Sequence, residues 1–228
     1  MFYFFDSTFL ILIPAILLTI YAQFKVSSTI KKYSKVQNSA NLTGYDVAKK
    51  ILEQEGIHNM PIKKSKKKLG DHYNPIKKEL SLSEDVYDKP SITALGIAAH
   101  EVGHAIQHHK KYSFLVLRTS FYPIASVSSY MGPILLIAGF FFAIPALITV
   151  GIVVFTASVV FTLVTLPVEF NASKRAVAKI TNMGIVTTEE IGGVKKVLSA
   201  AALTYVAAAL VAILQLIRLV LIFTGGRD

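Results

Sequence analysis

The sequence predicts a mainly α-helical, polytopic membrane protein with about four transmembrane helices and a small cytoplasmic α+β segment. Two observations lead to this fold class. First, 53% of the 228 residues are hydrophobic and only 17% are charged, which is more apolar than a soluble domain of this length requires. Second, the apolar residues are concentrated in runs long enough to cross a bilayer core. We therefore treat residues 1–228 as one membrane-embedded domain.

The first apolar run, about residues 3–24, is predicted to be an uncleaved membrane helix. No Lys or Arg precedes it and no small-residue cleavage site follows it, so it is a poor signal peptide. Positive charge comes directly after the run, at Lys25, Lys31, Lys32 and Lys35. That order favours an N-terminus on the outside of the membrane.

The remaining apolar sequence divides into three further spans. The stretch 114–167 is too long for one crossing, and Pro145 provides a break within it. The last apolar run lies near the end of the chain. The four predicted spans are thus about 3–24, 120–143, 146–167 and 200–223.

The distribution of positive charge predicts the orientation. Of the 24 Lys and Arg residues, 16 lie in residues 25–111, and most of the others lie between the third and fourth spans. Lys and Arg accumulate on the cytoplasmic side and lie against anionic lipid. Segments 25–119 and 168–199 are therefore predicted to be cytoplasmic and both termini to be outside. No nucleic-acid recognition motif accompanies the net charge of +10, so we expect no nucleic-acid partner.

The first cytoplasmic segment has the pattern of a small folded unit. An amphipathic helix is predicted after the N-cap Thr43, with Gly56 as its stop. The basic stretch 63–68 is either a solvated turn or a contact with lipid headgroups. A hairpin follows, whose second strand is the alternating "ELSLS" of residues 79–83, and a helix is predicted over 91–110.

The predicted helix over 91–110 carries the pattern H-E-x-x-H. His100 and His104 lie four residues apart, so both imidazoles are on one helix face and can hold one zinc ion with a position left for water. Glu101 is placed to take a proton from that water and pass it to a leaving amine. The chain has no cysteine, which excludes thiolate ligands.

A third protein ligand has to come from elsewhere in the chain. His58 and His72 lie upstream of the motif, and His108 continues the histidine stripe on the same helix. One straight helix cannot place three such ligands around one ion. We therefore expect His108 at the surface or behind the ligands.

Glu169 is the preferred third ligand. Two membrane crossings return the chain to its starting face, which brings Glu169 back towards the histidine motif. It is also an isolated carboxylate at the end of an apolar span, where a charged group requires a partner. Zinc is one such partner, and an ion pair with Lys174 or Arg175 is the alternative.

Four stretches of the chain resemble a known family. "AAHEVGHAIQH", "TLPVEFNAS", "SAAALTYVAAAL" and the opening "MFYFFD" are similar to the bacterial family of membrane neutral zinc metallopeptidases, and the similarity extends over essentially the whole chain. The family is related to gluzincins such as the membrane-bound heat-shock and CAAX-prenyl endopeptidases. The resemblance implies a zincin-like cytoplasmic segment with an HExxH helix, in a multi-pass protein of the bacterial cell membrane.

The resemblance also implies roles for particular residues. In those relatives the second motif is E-x-x-A-D, in which the glutamate is the third zinc ligand and the aspartate supports the site. Glu169 and Ala172 match this motif, whereas Ser173 stands at the aspartate position. Either Asn171 or Ser173 is then the candidate for orienting a histidine.

The function predicted from these features is a zinc-dependent endopeptidase with one catalytic Zn²⁺ that hydrolyses protein or peptide substrates at the cytoplasmic membrane face. Strand 79–83 is predicted to be an exposed edge to which a substrate adds. The candidates for stabilising the oxyanion are His72 and Tyr205, and helix packing is the alternative role of Tyr205. The lipid bilayer is the second partner, and a homo-oligomer or a membrane partner protein is left open.

Two other functions compete with this one. An intramembrane protease of the site-2 class shares H-E-x-x-H but carries a distant L-D-G element, which this sequence lacks. A non-catalytic, zinc-stabilised membrane scaffold or sensor would need the ligands alone. Glu101 is not needed to bind the metal but is needed as an acid-base residue, and its presence therefore favours the enzyme.

Overall fold

The computed structural model describes residues 7–225, and these residues are mainly helical. A short 3-10 helix (Ser7–Leu12) leads into the first α-helix. The α-helices are α1 (Ile13–Tyr33), α2 (Gly44–Gln54), α3 (Glu84–Asp88), α4 (Ile92–His109), α5 (Ser113–Phe141), α6 (Pro145–Asn182) and α7 (Thr188–Gly225), and the strands are β1 (Ile62–Ser65), β2 (His72–Asn74) and β3 (Glu79–Ser83).

Within residues 7–225, four helical segments are long and apolar enough to cross a membrane. They are Ser7–Tyr33, Ser113–Phe141, Pro145–Asn182 and Thr188–Gly225. The described residues thus contain the expected number of candidate membrane helices, which indicates a multi-pass membrane protein. Helices α6 and α7 each have 38 residues, so each predicted span is only the apolar part of a longer helix. The start of the first predicted span lies outside the described residues.

The predicted break at Pro145 is present between α5 and α6. Pro145 is the first residue of α6, the helix position where its missing N–H and fixed φ are tolerated best. Ala143 has a positive φ of 52° in the connection.

By their contacts the described residues form two compact units. The first unit consists of Leu117–Leu166 together with the described residues before Gln23 and after Leu203. Its buried hydrophobic cluster is small and is formed by Leu136, Ile148 and Leu219. Gly139 permits the close approach behind this cluster, because a Cβ atom there would lie 2.8 Å from the Ile148 nitrogen.

The second unit consists of Gln23–Val116 and Pro167–Leu203. Its core is larger and includes Ile51, Leu82, Leu95 and Ile180, all fully buried. Thr43 is the N-cap of α2, as predicted. Its hydroxyl accepts a hydrogen bond from the Asp46 N–H, and the Asp46 carboxylate accepts one from the Thr43 N–H. The helix is followed by Gly56 with a positive φ of 68°.

The sheet of the second unit has the order β1-β3-β2. Strand β3 pairs in parallel with β1 and antiparallel with β2, and the predicted hairpin is the β2–β3 pair. The prediction that residues 79–83 form an exposed edge was wrong, because β3 is the central strand. Its alternating Leu80 and Leu82 are fully buried. The physical reason for the central position is that β1, which includes part of the basic stretch expected to be a turn or a lipid contact, pairs with the second edge of β3.

Helix α4 carries the H-E-x-x-H pattern, as the sequence predicts. Ser91 caps its first turn by accepting a hydrogen bond from the Ala94 N–H at 3.1 Å. Gly103 lies against the backbone of α6, since a Cβ atom at this position would be 2.6 Å from the Ala172 oxygen. The two helices can therefore approach closely at this glycine, and side chains on either side of the crossing can meet.

A charged cluster fixes the far end of α4 against neighbouring helices. The Glu55 carboxylate, at the end of α2, accepts a hydrogen bond from Lys110 at 2.7 Å and from Lys179 on α6. The Glu55 side chain is only 6% exposed, so the two ammonium groups supply the partners that a buried carboxylate requires. Helices α2, α4 and α6 are thereby joined on the side of the core away from Ser91.

Candidate metal centre

One turn of α4 presents the two histidines of the motif side by side. The ring centroids of His100 and His104 are 4.8 Å apart, with the rings nearly perpendicular. His104 is buried and His100 is partly buried. The i, i+4 spacing thus has the consequence predicted from the sequence, with both imidazoles on one face of the helix.

Helix α6 brings Glu169 to the same point. Its Oε2 atom lies 3.3 Å from the Nε2 atom of His100 and 3.5 Å from the Nε2 atom of His104. Glu169 is only 2% exposed, so its carboxylate is enclosed with the two imidazoles. The close α4–α6 approach at Gly103 makes this meeting possible across more than sixty residues of chain.

These three side chains could hold a metal ion. One potential ligand atom from each of them lies within 4.8 Å of the other two. Two imidazole nitrogens and a carboxylate oxygen form one of the usual protein ligand sets of catalytic zinc, in which a fourth position is left for water or substrate. The donor set therefore fits zinc.

A hydrogen-bond network behind His104 selects its ring tautomer. Gln107 is fully buried and its Nε2 donates to the Val168 carbonyl at 2.8 Å and to Asn171 Oδ1 at 3.0 Å. Its Oε1 atom consequently faces His104 Nδ1, at 3.0 Å. Because that oxygen accepts, Nδ1 carries the proton and Nε2 keeps the lone pair that a metal needs.

Gln107 was missed by the sequence prediction. The signal available was its position three residues after His104, on the same side of the helix. A glutamine at this spacing is common on helices without any metal, so the sequence does not distinguish it.

Of the two residues predicted to orient a histidine, one contacts a histidine directly and the other contacts Gln107. Ser173 Oγ lies 3.1 Å from His100 Nδ1, so the serine at the family's aspartate position contacts a histidine directly. Asn171 accepts hydrogen bonds from Gln107 and, at 2.7 Å, from Arg175 Nε, and so contributes through Gln107. Arg175 thus lies beside Asn171, and its guanidinium lies over the Tyr112 ring.

Glu101 has a partner that the sequence prediction did not find. Its side chain is largely buried, and its Oε2 atom accepts a hydrogen bond from the backbone N–H of Tyr73, on β2, at 2.9 Å. Strand β2 therefore contributes to the direction of the Glu101 carboxylate. No sequence pattern signals a backbone donor, because every residue except proline has one.

His108 lies outside the group of three possible ligands. Its Nδ1 atom is 2.6 Å from the Tyr73 hydroxyl, in agreement with the expectation that this histidine is not a ligand. Burial raises the pKa of Tyr73 to about 12, so the hydroxyl stays protonated at neutral pH. Burial, together with Lys78, lowers the pKa of His108, which leaves the imidazole neutral and able to accept from the hydroxyl.

The other predicted residues are not among the three possible ligands. His72 is exposed on β2, with Nδ1 2.8 Å from the Gly70 carbonyl. His58 lines a separate cavity of about 460 Å³ beside Tyr45 and Tyr87. Tyr205 belongs to α7 in the first unit and is 37% exposed. Oxyanion roles for His72 and Tyr205 stay predictions.

Comparisons with known proteins identify the class to which this fold and this donor set correspond. Residues 8–224 match the family described as "Putative neutral zinc metallopeptidase", and the chain belongs to this family. The chain is also 48% identical over 216 residues to the "Putative membrane protease YugP" of Bacillus subtilis (strain 168), covering 95% of this chain and 96% of the relative. No solved structure matches the chain.

Proposed function

We propose that the protein is a membrane-bound, zinc-dependent endopeptidase that hydrolyses peptide bonds of protein substrates at the cytoplasmic face of the bacterial cell membrane. The observation that carries this proposal is the meeting of His100, His104 and Glu169 beside Glu101. Membership of a zinc metallopeptidase family supports it, and so does the word "protease" in the relative's name.

In this proposal the two histidines and Glu169 hold the zinc ion. The Nε2 atoms of His100 and His104 and a carboxylate oxygen of Glu169 are the ligand atoms. Gln107 keeps the His104 ring in the required tautomer, and Ser173 Oγ contacts the Nδ1 atom of His100. Zinc, when bound, supplies Lewis-acid activation of water and of the peptide carbonyl.

Glu101 is the proposed acid-base residue. It lies next to His100 in the sequence, and it is not needed as a ligand because three others are present. Its carboxylate would take a proton as water attacks the peptide carbonyl, and would then give it to the departing amine. The bond formed is between the carbonyl carbon and the water oxygen, and the bond broken is the peptide C–N bond.

The deciding experiment compares Glu101→Gln with the parent protein in detergent. The substitution keeps the size of the side chain but removes its basicity. We expect full zinc content and a loss of proteolysis of about 10²- to 10⁴-fold, the usual contribution of a positioned acid-base group. The control is Glu53→Gln, at an exposed position on α2, which should cleave like the parent.

The same experiment tests the competing function. Cleavage at the parental rate by Glu101→Gln would refute the proposed mechanism. If none of the proteins cleaves unfolded protein substrates, yet chelation of zinc destabilises all of them equally, the site is that of a non-catalytic scaffold.

The cytoplasmic orientation is a separate part of the proposal and has its own test. It rests on the accumulation of Lys and Arg in residues 25–111. Because the chain has no cysteine, single cysteines can be labelled without background. Lys66→Cys and Glu189→Cys should be shielded from an impermeant thiol reagent added outside the cell, whereas Gly226→Cys should react. Labelling at position 66 from outside would show that the orientation is the reverse of the proposed one.

A further inference from the structure

Strand β2 is short, yet it supplies the hydrogen bond that orients Glu101. It has only three residues and pairs with the sheet on one side, through β3. The Tyr73 N–H is not used in that pairing. Its partner in the register, Leu80, donates its own N–H to Pro61 on the opposite side, and the Tyr73 N–H donates to Glu101 at 2.9 Å.

The side chain of Tyr73 makes a second contact with the same helix. Its hydroxyl lies 2.6 Å from His108 Nδ1, and the two rings are in an edge contact. His108 follows Glu101 by seven residues, or two helical turns, so their Cα atoms are about 10 Å apart along α4. Tyr73 therefore fixes β2 to α4 at two points rather than one.

Two separated contacts determine the position of a strand along a helix, whereas one contact leaves the strand free to shift. At the ends of β2, Asp71 accepts from Ser83 N–H at 2.7 Å, and Asn74 closes the following turn by accepting from Ile76 N–H. The first contact ties the start of β2 to β3, and the second closes the turn between these strands. The Tyr73–His108 hydrogen bond instead ties a β2 side chain to α4, the helix that carries the site.

We propose that Tyr73 and His108 are positioning residues for the acid-base glutamate. The hydroxyl–imidazole hydrogen bond holds β2 in register along α4, so that the Tyr73 N–H is held at Glu101 and fixes the direction of its carboxylate. This inference rests on the proposed function for its catalytic consequence, but the held position of the Tyr73 amide is independent of any activity.

Three substitutions test the pair. Tyr73→Phe removes only the hydroxyl, and His108→Leu removes only its acceptor. His108→Asn places an amide oxygen near the position of Nδ1 and should restore the hydrogen bond. His109→Leu is the matched control, because His109 is the exposed neighbour of His108.

The first measurement is residue-resolved hydrogen exchange at the Tyr73 amide. Loss of one hydrogen bond should speed exchange by about threefold to tenfold in Tyr73→Phe and His108→Leu. The double variant should exchange no faster than either single variant, because both remove the same hydrogen bond. His108→Asn and His109→Leu should exchange like the parent.

The second measurement is steady-state proteolysis with zinc content determined on the same samples. Because the carboxylate would be misdirected while the ligands stay in place, kcat should fall by about threefold to tenfold with KM nearly unchanged and zinc fully retained. His108→Asn should recover most of kcat.

Each outcome supports the inference or overturns it. Unchanged exchange in Tyr73→Phe, or faster exchange with parental kcat, would show that this pair does not position Glu101. Loss of zinc would instead make the pair a structural support of the ligands. If the parent protein has no proteolytic activity, the proposed function fails, and the exchange measurement still decides whether the hydroxyl holds the amide on Glu101.

Discussion

The two compact units place their apolar residues in opposite ways. In the first unit, large apolar side chains face outward, and Ile137, Phe141 and Val153 are each about two thirds exposed. In the second unit, Ile51, Leu82 and Ile180 are fully buried in one extended core. A protein surrounded by water buries its large apolar side chains, as the second unit does. The outward apolar surface of the first unit is therefore what a bilayer-facing surface requires, while the second unit is built like a small water-soluble domain.

The buried polar groups of the two units also differ. In the first unit, the buried Thr165 hydroxyl donates to a carbonyl of its own helix, that of Phe161. In the second unit, Glu169, His104 and Gln107 bond to groups on other turns and other helices. A metal site requires buried polar side chains that are hydrogen-bonded across helices, because each hydrogen bond fixes the orientation of its partner. The candidate chemistry is thus concentrated in the second unit.

The largest expected effect comes from removing a ligand, which would break the second unit's site and leave the first unit intact. His100→Ala, His104→Ala and Glu169→Ala should each lose bound zinc and all measurable proteolysis, because each removes one of three ligands. Elemental mass spectrometry measures the zinc content, and circular dichroism measures whether the helices are kept. Full zinc retention by Glu169→Ala would remove this residue from the ligand set.

A matched pair of substitutions tests the contrast in packing. Ile51→Ala leaves a cavity in the second unit's core and should lower the free energy of unfolding by about 2–5 kcal/mol. Ile137→Ala, at a position 67% exposed in the first unit, should change it by less than about 0.5 kcal/mol. Denaturant unfolding in a mild detergent measures both. A cost at Ile137 equal to that at Ile51 would mean that protein, and not lipid, covers that position.

A smaller effect is expected behind the ligands. Gln107→Leu deprives His104 Nδ1 of its acceptor and should weaken zinc binding by about 10- to 100-fold, as substitutions behind ligands usually do. Competition with a zinc chelator measures the affinity. Gln107→Glu keeps an acceptor beside His104 and should lose less. Equal affinity in Gln107→Leu and the parent would show that the ring needs no support from this side.

Local patterns in the sequence were enough to predict much of the structure. The four apolar runs, the break at Pro145, the α2 start at Thr43 and the helix carrying His100 and His104 all follow from hydropathy, spacing and capping within contiguous residues. Glu169 was reached by counting membrane crossings, and the structure places its carboxylate beside both imidazoles. The central position of β3 was predicted wrongly, because alternation alone does not indicate how many neighbours a strand has.

By itself, then, the sequence determined which segments are apolar enough to span a bilayer, which helix carries the motif, and which residue types could hold zinc. Only the tertiary structure decided that Gln107 selects the tautomer of His104 and that the backbone of Tyr73 bonds to Glu101. The physical reason is that periodicity and composition act over neighbouring residues, whereas these contacts depend on which helix faces and strands pack together. That packing follows from small local features such as Gly103, where α4 can approach Ala172 on α6.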